Sequence, residues 1–497
     1  MKSYCKNSII GSSILIMVFF LYSCQQLKTE VNKKPNILFL FADDQRSGTI
    51  RELGNIEIIT PNLDKLVKKG VSFSNTYIMG GNSPAVCSPS RAMLLTGRHL
   101  YGIETQDWQS PILEETESMP ETFIKAGYAT FGTGKHHNGK DVFARGFSDG
   151  DEIFFGGMCD HWNVPVYHFD STGKYDKKTP YIKNPWHDNN VEYIENCDHV
   201  IQGKHSSELF ADAAIDFLKS HDNKKPFFAY ISFTAPHDPR SMPKEYKQMY
   251  DTSTISIPPN FLPIHPWDFG ELKIRDEMLA GFPRTKAEIK TNLRDYYAMI
   301  THMDAQIGRI IAQLKASGEY ENTIIIFSAD NGLAVGQHGL MGKQNLYEHS
   351  IGVPFVISGP GIPENEKREA LNYLFDVFPT LCELVDIESP ETVQGRSFAA
   401  SINDENKTHR ESMTYGYKEF MRAYRKENLK LIEYLVKGER HSQFFNLDQD
   451  PYEKNNLVAQ EEYSLKYLEM KEVMVQEMKA LKDTSQIYKQ LLKETLK

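Results

Sequence analysis

Four apolar runs in this chain each stop abruptly at charged or polar side chains, and that repetition constrains the fold more than any other feature. Asn36-Ile37-Leu38-Phe39-Leu40-Phe41-Ala42 gives way to Asp43-Asp44, and Tyr128-Ala129-Thr130-Phe131-Gly132 leads to Lys135 and His137. Phe227-Phe228-Ala229-Tyr230-Ile231-Ser232-Phe233 leads to Pro236-His237, and Thr323-Ile324-Ile325-Ile326-Phe327-Ser328 leads to Asp330-Asn331. A strand with one wet face alternates apolar and polar residues, so a continuous apolar run is a strand covered on both faces. Helical spacing fills the intervals at Thr60–Lys69, Met119–Ala126, Ser207–Ser220 and Ala287–Ser317. In the last of these Ile289, Leu293, Tyr296, Met299, Ile300, Met303, Ile307 and Ile310 form one apolar stripe. Strands alternating with helices predict an α/β fold: a large mixed, mostly parallel sheet flanked by helices. Ligands bind beyond the carboxyl ends of the strands in such sheets. One polar strand end is commonly a cap or a turn; four of them predict a shared site.

A fifth segment belongs with these ends. In Cys87-Ser88-Pro89-Ser90-Arg91, followed by Ala92-Met93-Leu94-Leu95, Ser88 suits a helix cap and Pro89 a first turn. Cys87 then stands at a helix N-terminus, where backbone N–H groups and the dipole favour anions, and Arg91 lies one turn further on. After about residue 385 the texture changes. Arg422–Arg425, Asn428–Tyr434 and Phe444–Asp448 read as short strands between turns, and Glu462–Leu481 as a helix. The expected organisation is a catalytic domain over 35–385 and a C-terminal subdomain over 386–497, a smaller antiparallel sheet closed by a helix.

Lys2 and Lys6 precede an apolar run from Ile14 to Leu21, then Tyr22-Ser23-Cys24. The run is too short for a membrane span and reads as a secretory leader over 1–23, with 24–34 as a linker. Cys24 after Ser23 is similar to the acylation site of bacterial lipoproteins. The expected location is therefore the periplasm or outer membrane of a Gram-negative bacterium, with membrane contact only through a lipid anchor; plain secretion is the alternative. The formal charge of −10 over 497 residues argues against nucleic acid as a partner, since neutralising phosphates needs a basic face. A locally positive pocket for a small anion remains compatible with it. Six cysteines in so long a chain make no disulfide framework; Cys159 and Cys197 either pair or stay as separate thiols.

Cys87-Ser88-Pro89-Ser90-Arg91, with Thr96-Gly97-Arg98 downstream, resembles the Cys-x-Pro-x-Arg signature of the type I sulfatases, in which the cysteine is oxidised to formylglycine. Pro35-Asn36-Ile37 through Asp43-Asp44, Thr60-Pro61-Asn62-Leu63-Asp64, Gly134-Lys135-His136-His137, Ala235-Pro236-His237, Asp330-Asn331-Gly332 and Gly339 to Lys343 are similar to further family segments in the same order. Asn446-Leu447-Asp448-Gln449-Asp450-Pro451 resembles the family's C-terminal sheet. The likeness spans about residues 35–460 and implies the alkaline-phosphatase-like fold. Gly352 departs from it, standing where the family often has Arg and leaving a supporting salt bridge in doubt.

The resemblance implies a sulfatase with a defined division of labour. Asp43, Asp44, Asp330 and Asn331, with residue 87, hold a metal; an all-oxygen set suits calcium, or magnesium, rather than zinc. Arg91, Lys135 and Lys343 offset the sulfate charge, His137 deprotonates the second hydroxyl of the formylglycine hydrate, and His237, with Lys343, assists the leaving oxygen. His161, Trp162 and His168 are candidates for the substrate wall, with a surface loop as the other reading. The expected partners are an O-sulfated carbohydrate of host or environmental glycans, taken in exo fashion, and a formylglycine-generating maturation enzyme. Competing readings are a choline or aryl sulfatase, a formylglycine-dependent phosphonate or phosphate ester hydrolase, and a non-catalytic glycan-binding lipoprotein.

Overall fold

The computed structural model describes residues 33–106, 109–182 and 192–495. The leader over 1–23 and Cys24 lie outside the described residues. Eight strands make the main sheet: β1 (Asn36–Ala42), β2 (Gly70–Phe73), β3 (Ala129–Lys135), β4 (Asp149–Phe154), β5 (Phe227–Ser232), β6 (Thr323–Ala329), β7 (Phe355–Ser358) and β8 (Glu366–Arg368). Their order is β8-β2-β7-β6-β1-β5-β3-β4. The five from β6 to β4 run parallel to one another, and β7 is antiparallel to both of its neighbours. The sheet is mixed and mostly parallel, as the apolar runs require.

Every residue of β1 and β6 is buried, because helices cover both faces. The long helix Lys286–Ala316 buries Ile289, Leu293, Tyr296, Met299, Ile300, Met303, Ile307 and Ile310, the stripe read from its sequence. Thr285 caps it by accepting from the Glu288 amide. At the opposite end of the sheet from the site, the Asn36 side chain donates to Thr323 Oγ1 at 3.4 Å and accepts from the Phe227 amide at 3.1 Å, tying three strand starts together.

Register decides what the other end presents. Ala42 pairs with Ala329, Phe41 with Ser232, and Ser232 with Gly134. The next residues out are therefore Asp43, Asp330 and Lys135, side by side. The Asp330 amide donates to Ala42 O at 3.2 Å and the Asp43 amide to Ala235 O at 3.1 Å, which continues the ladder past the strands. Gly134 is required here: a Cβ would lie 1.9 Å from Ser232 O.

The helix Cys87–Thr96 is buried over its whole length. It starts at Cys87, and Val86 occupies the cap position without a side-chain bond. Ser88 is thus inside the first turn and its Oγ accepts instead from the Ser110 amide at 2.8 Å. The C-terminal sheet consists of β9 (Ser412–Tyr417), β10 (Met421–Lys426), β11 (Leu429–Val436) and β12 (Glu439–Asn446), antiparallel, with Gly80–Gly81 added in parallel beside β9. Helices Ser464–Ala480 and Gln486–Thr495 cover it. Residues 35–497 form one compact unit, and no helix among the described residues is long and apolar enough to cross a membrane. Cys159 carries a free thiol.

Candidate active site

The strand ends and the buried helix meet around Cys87. Lys135 Nζ donates to Asp43 Oδ2 at 2.6 Å and stands 3.5 Å from Cys87 Sγ; His137 Nδ1 lies 3.5 Å from the same sulfur. Arg91, one turn along the helix, donates through Nε to Asp330 Oδ2 at 2.8 Å, and through Nη1 to Lys135 O at 3.0 Å and to Ser232 Oγ. Asn331 Nδ2 donates to Asp44 Oδ1 at 2.8 Å, and Lys343 Nζ donates to the same oxygen. His237 Nε2 is 3.6 Å from Asp44 Oδ2. Its Nδ1 is 2.7 Å from the Asp238 carbonyl, which can only accept, so Nδ1 carries a proton and Nε2 faces the cluster.

Two site residues have left-handed backbone, Asp44 with φ 67° and His137 with φ 66°. For residues other than glycine this costs on the order of 1–2 kcal/mol each, and such strain concentrates at functional sites. Asp44 is held there by Tyr296, whose hydroxyl donates to Asp44 O at 2.6 Å and accepts from the Arg46 amide at 3.0 Å.

The electrostatics divide the two carboxylates Asp43 and Asp330. Burial, then Asp330, pushes the Asp43 carboxyl up to about 6. Burial also works against Asp330, but Arg91, then Lys135 and Lys343, outweigh it and hold Asp330 at about 2. Burial raises the Cys87 thiol despite Lys135 and Lys343. His137 is held well below its ordinary range by burial and then by Lys135 and Arg91, so its ring is neutral.

A hard cation fits this arrangement. Asp43, Asp44 and His237 bring potential ligand atoms within 4.8 Å of one another, as do Asp43, Cys87 and Asp330. Asp43 Oδ1 and Asn331 Oδ1 are buried with no hydrogen-bond partner among the described residues. Two orphaned oxygens beside crowded carboxylates are what a divalent ion with oxygen ligands would satisfy, and its charge would reverse the upward push on Asp43.

The candidates for the substrate wall separate. His161 is buried, with Nδ1 2.7 Å from Ser206 Oγ and Nε2 2.9 Å from the His237 carbonyl, so it backs the His237 loop. Trp162 is half-buried and packs edge-on against His205. His168 is exposed, paired with Asp151 at 2.6 Å and stacked on His199. Other contributors went unseen in the sequence. Asn138 Nδ2 ties Ser88 O and Ser110 O at 3.0 and 2.9 Å, and Glu277 accepts from the Met341 and Gly342 amides at 2.9 and 2.8 Å, fixing the turn before Lys343. Only Asn138, directly after His137, had a positional signal.

Cations and carboxylates gathered about a nucleophile-bearing residue at a helix start, beyond the ends of parallel strands, define a hydrolase of anionic esters. A sequence profile of the sulfatase family matches residues 35–387, and that of the N-sulphoglucosamine sulphohydrolase C-terminal region matches residues 336–482. The chain belongs to the sulfatase family, hydrolases of sulfuric esters. It is 25% identical to an N-acetylglucosamine-6-O-sulfatase of Bacteroides thetaiotaomicron, over 93% of this chain and 89% of the relative. It is 30% identical to an ulvan-active sulfatase of Formosa agariphila, over 92% of this chain and 84% of the relative. A solved structure of a complex with its substrate D-glucosamine-2-N,6-O-disulfate matches with a TM-score of 0.72 at 23% identity, covering 91% of this chain and 99% of that one; it shares the fold.

Proposed function

We propose that this chain is a formylglycine-dependent sulfatase of O-sulfated sugars, assisted by calcium or magnesium. The observation that carries the reading is Cys87 in Cys-x-Pro-x-Arg, with Lys135 Nζ and His137 Nδ1 each 3.5 Å from its sulfur inside the carboxylate cluster. A separate maturation enzyme would convert Cys87 to formylglycine, and Sγ stands in for an oxygen of the hydrated aldehyde. That hydrate supplies one hydroxyl for attack on sulfur and a second whose deprotonation lets sulfate leave; the cation supplies charge neutralisation. Asp43, Asp44, Asp330 and Asn331 would hold the cation.

The chain's own residues do the rest. A sulfate ester is anionic, so an approaching nucleophile needs preorganised positive charge, which Arg91, Lys135 and Lys343 supply. His137 is neutral for the physical reasons given above and can accept a proton beside residue 87. His237 presents Nε2 to the leaving oxygen, with Lys343 next to it. The relatives that act on sugar sulfates support the substrate class, and the leader with Cys24 extends the reading to an exported, lipid-anchored enzyme.

The test uses protein purified from a host that makes formylglycine. Sulfate release is measured from sulfated galactose and N-acetylglucosamine, from 4-nitrophenyl sulfate, and against nitrophenyl phosphate and phosphonate esters. A sugar alkoxide is a poor leaving group and a nitrophenolate a good one. His237→Ala is expected to lower kcat/KM on the sugar sulfates by about 10²–10⁴-fold, the scale of general-acid assistance, and on nitrophenyl sulfate much less. Faster turnover of phosphonate than of every sulfate overturns the substrate assignment; equal losses for His237→Ala overturn its role.

A further inference from the structure

One wall of the site carries polar groups that none of the steps above uses. Lys135 and Asp43 are closed off from solvent, and access then grows along this wall: the His237 side chain is 6% exposed, Asp238 8% and Arg275 44%. On the role proposed for His237 at the leaving oxygen, this is the side on which the rest of the substrate lies. Asp238 follows His237 directly, and its Oδ1 is 3.5 Å from His237 Nδ1. Arg275 grips both Asp238 oxygens with its fork, through Nη1 to Oδ2 and through Nη2 to Oδ1 at 3.1 Å, and Nη2 also donates to Asp276 Oδ1 at 2.7 Å. Asp276 accepts in turn from Gln344 at 2.7 Å, the neighbour of Lys343. The wall is therefore anchored at both ends to residues already in the site.

Donor and acceptor counting indicates what the wall can read. A guanidinium has five N–H donors and a carboxylate about four acceptor positions. Arg275 commits three donors to Asp238 and Asp276, and each Asp238 oxygen takes one bond from Arg275, so both groups keep capacity on their open side. Arg240, two residues after Asp238, donates through Nη1 to Asn292 and keeps Nε and Nη2 without a partner among the described residues. A hydroxyl can donate to Asp238 while accepting from Arg275. A trimethylammonium group or a plain aromatic ring can do neither.

We propose that Asp238 and Arg275 form a specificity pair that reads a hydroxyl next to the scissile sulfate, selecting O-sulfated sugars over aryl and choline sulfates. The pair rests on the sulfatase reading and names the substrate class of the same site. A site built to bond a hydroxyl discriminates against an analogue lacking it, because the donor and acceptor positions left open toward the substrate then lose their partner.

The experiment measures kcat/KM for the maturated enzyme and its variants on 4-nitrophenyl sulfate, on the best monosulfated hexose from a galactose and N-acetylglucosamine panel, and on that hexose without the hydroxyl adjoining the sulfate. Asp238→Asn and Arg275→Met are each expected to lose about 10²-fold on the sugar sulfate and less than about three-fold on nitrophenyl sulfate. The deoxy sugar should be about 10²-fold poorer than its parent for the unaltered enzyme, and no poorer for Asp238→Asn. A deoxy sugar that stays about 10²-fold poorer than its parent in Asp238→Asn would show that the pair only positions His237, and an unaltered enzyme indifferent to the missing hydroxyl would show that nothing reads it; either overturns the proposal. Turnover of nitrophenyl sulfate reports the ester chemistry alone, so failure of the sulfatase reading shows there and failure of the pair does not.

Discussion

Two clusters of lysines and acids are buried in this chain, and they differ in what they leave unfinished. Around Cys87, Lys135 and Asp43 pair at 2.6 Å, both almost fully enclosed, yet Asp43 Oδ1, Asn331 Oδ1 and Arg91 Nη2 have no partner among the described residues. At the seam with the C-terminal sheet, Lys430 Nζ donates to Glu348 Oε1 and Glu453 Oε1, each at 2.7 Å. Tyr77 donates to Glu348 Oε2 at 2.7 Å, and the Glu348 amide donates to Glu453 Oε2 at 2.8 Å. All four carboxylate oxygens there are satisfied. Burial and charge are alike in the two places, so neither marks function. Unpartnered oxygens crowded against other carboxylates set the first cluster apart, because a bound cation there would supply the missing bonds.

The sharpest way to break that contrast is to remove a key side chain from each cluster. Cys87→Ala should abolish turnover, a loss on the order of 10⁴-fold or more for a missing nucleophile, with the melting temperature nearly unchanged. Substantial residual activity would remove residue 87 from the chemistry. Chelation should likewise abolish turnover and lower the melting temperature, since an ion that binds only the folded state stabilises it by about 2.7 kcal/mol at a hundred times its Kd. Calcium or magnesium should restore both and zinc neither. Asp330→Ala should be inactive and its melting temperature should no longer respond to chelator; a response as large as that of the unaltered protein would place the ion elsewhere. Lys430→Met should do the opposite of Cys87→Ala. Breaking a buried pair from one side destabilises by about 3–5 kcal/mol, so the denaturation midpoint should fall while kcat of the folded enzyme holds. Loss of kcat without loss of stability would make the seam part of the catalytic machinery.

The sequence made the site legible and the seam illegible for the same physical reason. Asp43, Lys135, His237 and Asp330 each follow an apolar run, and a run buried on both faces announces where its strand ends. Register then did the assembly, since Ala42 opposite Ala329 puts Asp43 beside Asp330. Four strands of the main sheet carried no such announcement. β2, β7 and β8 are short, and β4 begins with the polar Asp149-Gly150-Asp151-Glu152, so periodicity had nothing to detect. In the C-terminal sheet Phe444-Phe445 marked only the end of β12, whose start, Glu439-Arg440-His441, is polar. Glu348 and Glu453 sit 105 residues apart, and no local pattern links two such acids to Lys430. Gly352 left a salt bridge in doubt, and the answer came from another element. The acid four residues earlier, Glu348, takes Lys430 and, at 3.7 Å, Arg425 from the C-terminal sheet. A Cβ at Gly352 would lie 2.8 Å from Glu348 O.

The smallest expected effect, and the finest comparison of the two clusters, is a slope with pH. Glu348 has Lys430 and Arg425 and stays ionised, held below its ordinary range against burial. Glu453 has only a share of Lys430; burial, then the charge of Glu348, pushes it from 4.5 up to about 7. Between those values the folded chain keeps a proton on Glu453 that the unfolded chain has released. The stability that proton contributes is complete below about 4.5 and is lost as pH rises through about 7. Asp43, pushed up to about 6, has the same sign, but a bound cation removes its contribution. With calcium present, the melting temperature should therefore decline between pH 5 and pH 8 through Glu453. Glu453→Gln, which keeps the shape without the charge, should flatten that decline while leaving the pH profile of kcat/KM unchanged, since the seam touches no reacting atom. An equal decline in the variant would show that Glu453 is ionised throughout and that Lys430 serves both acids.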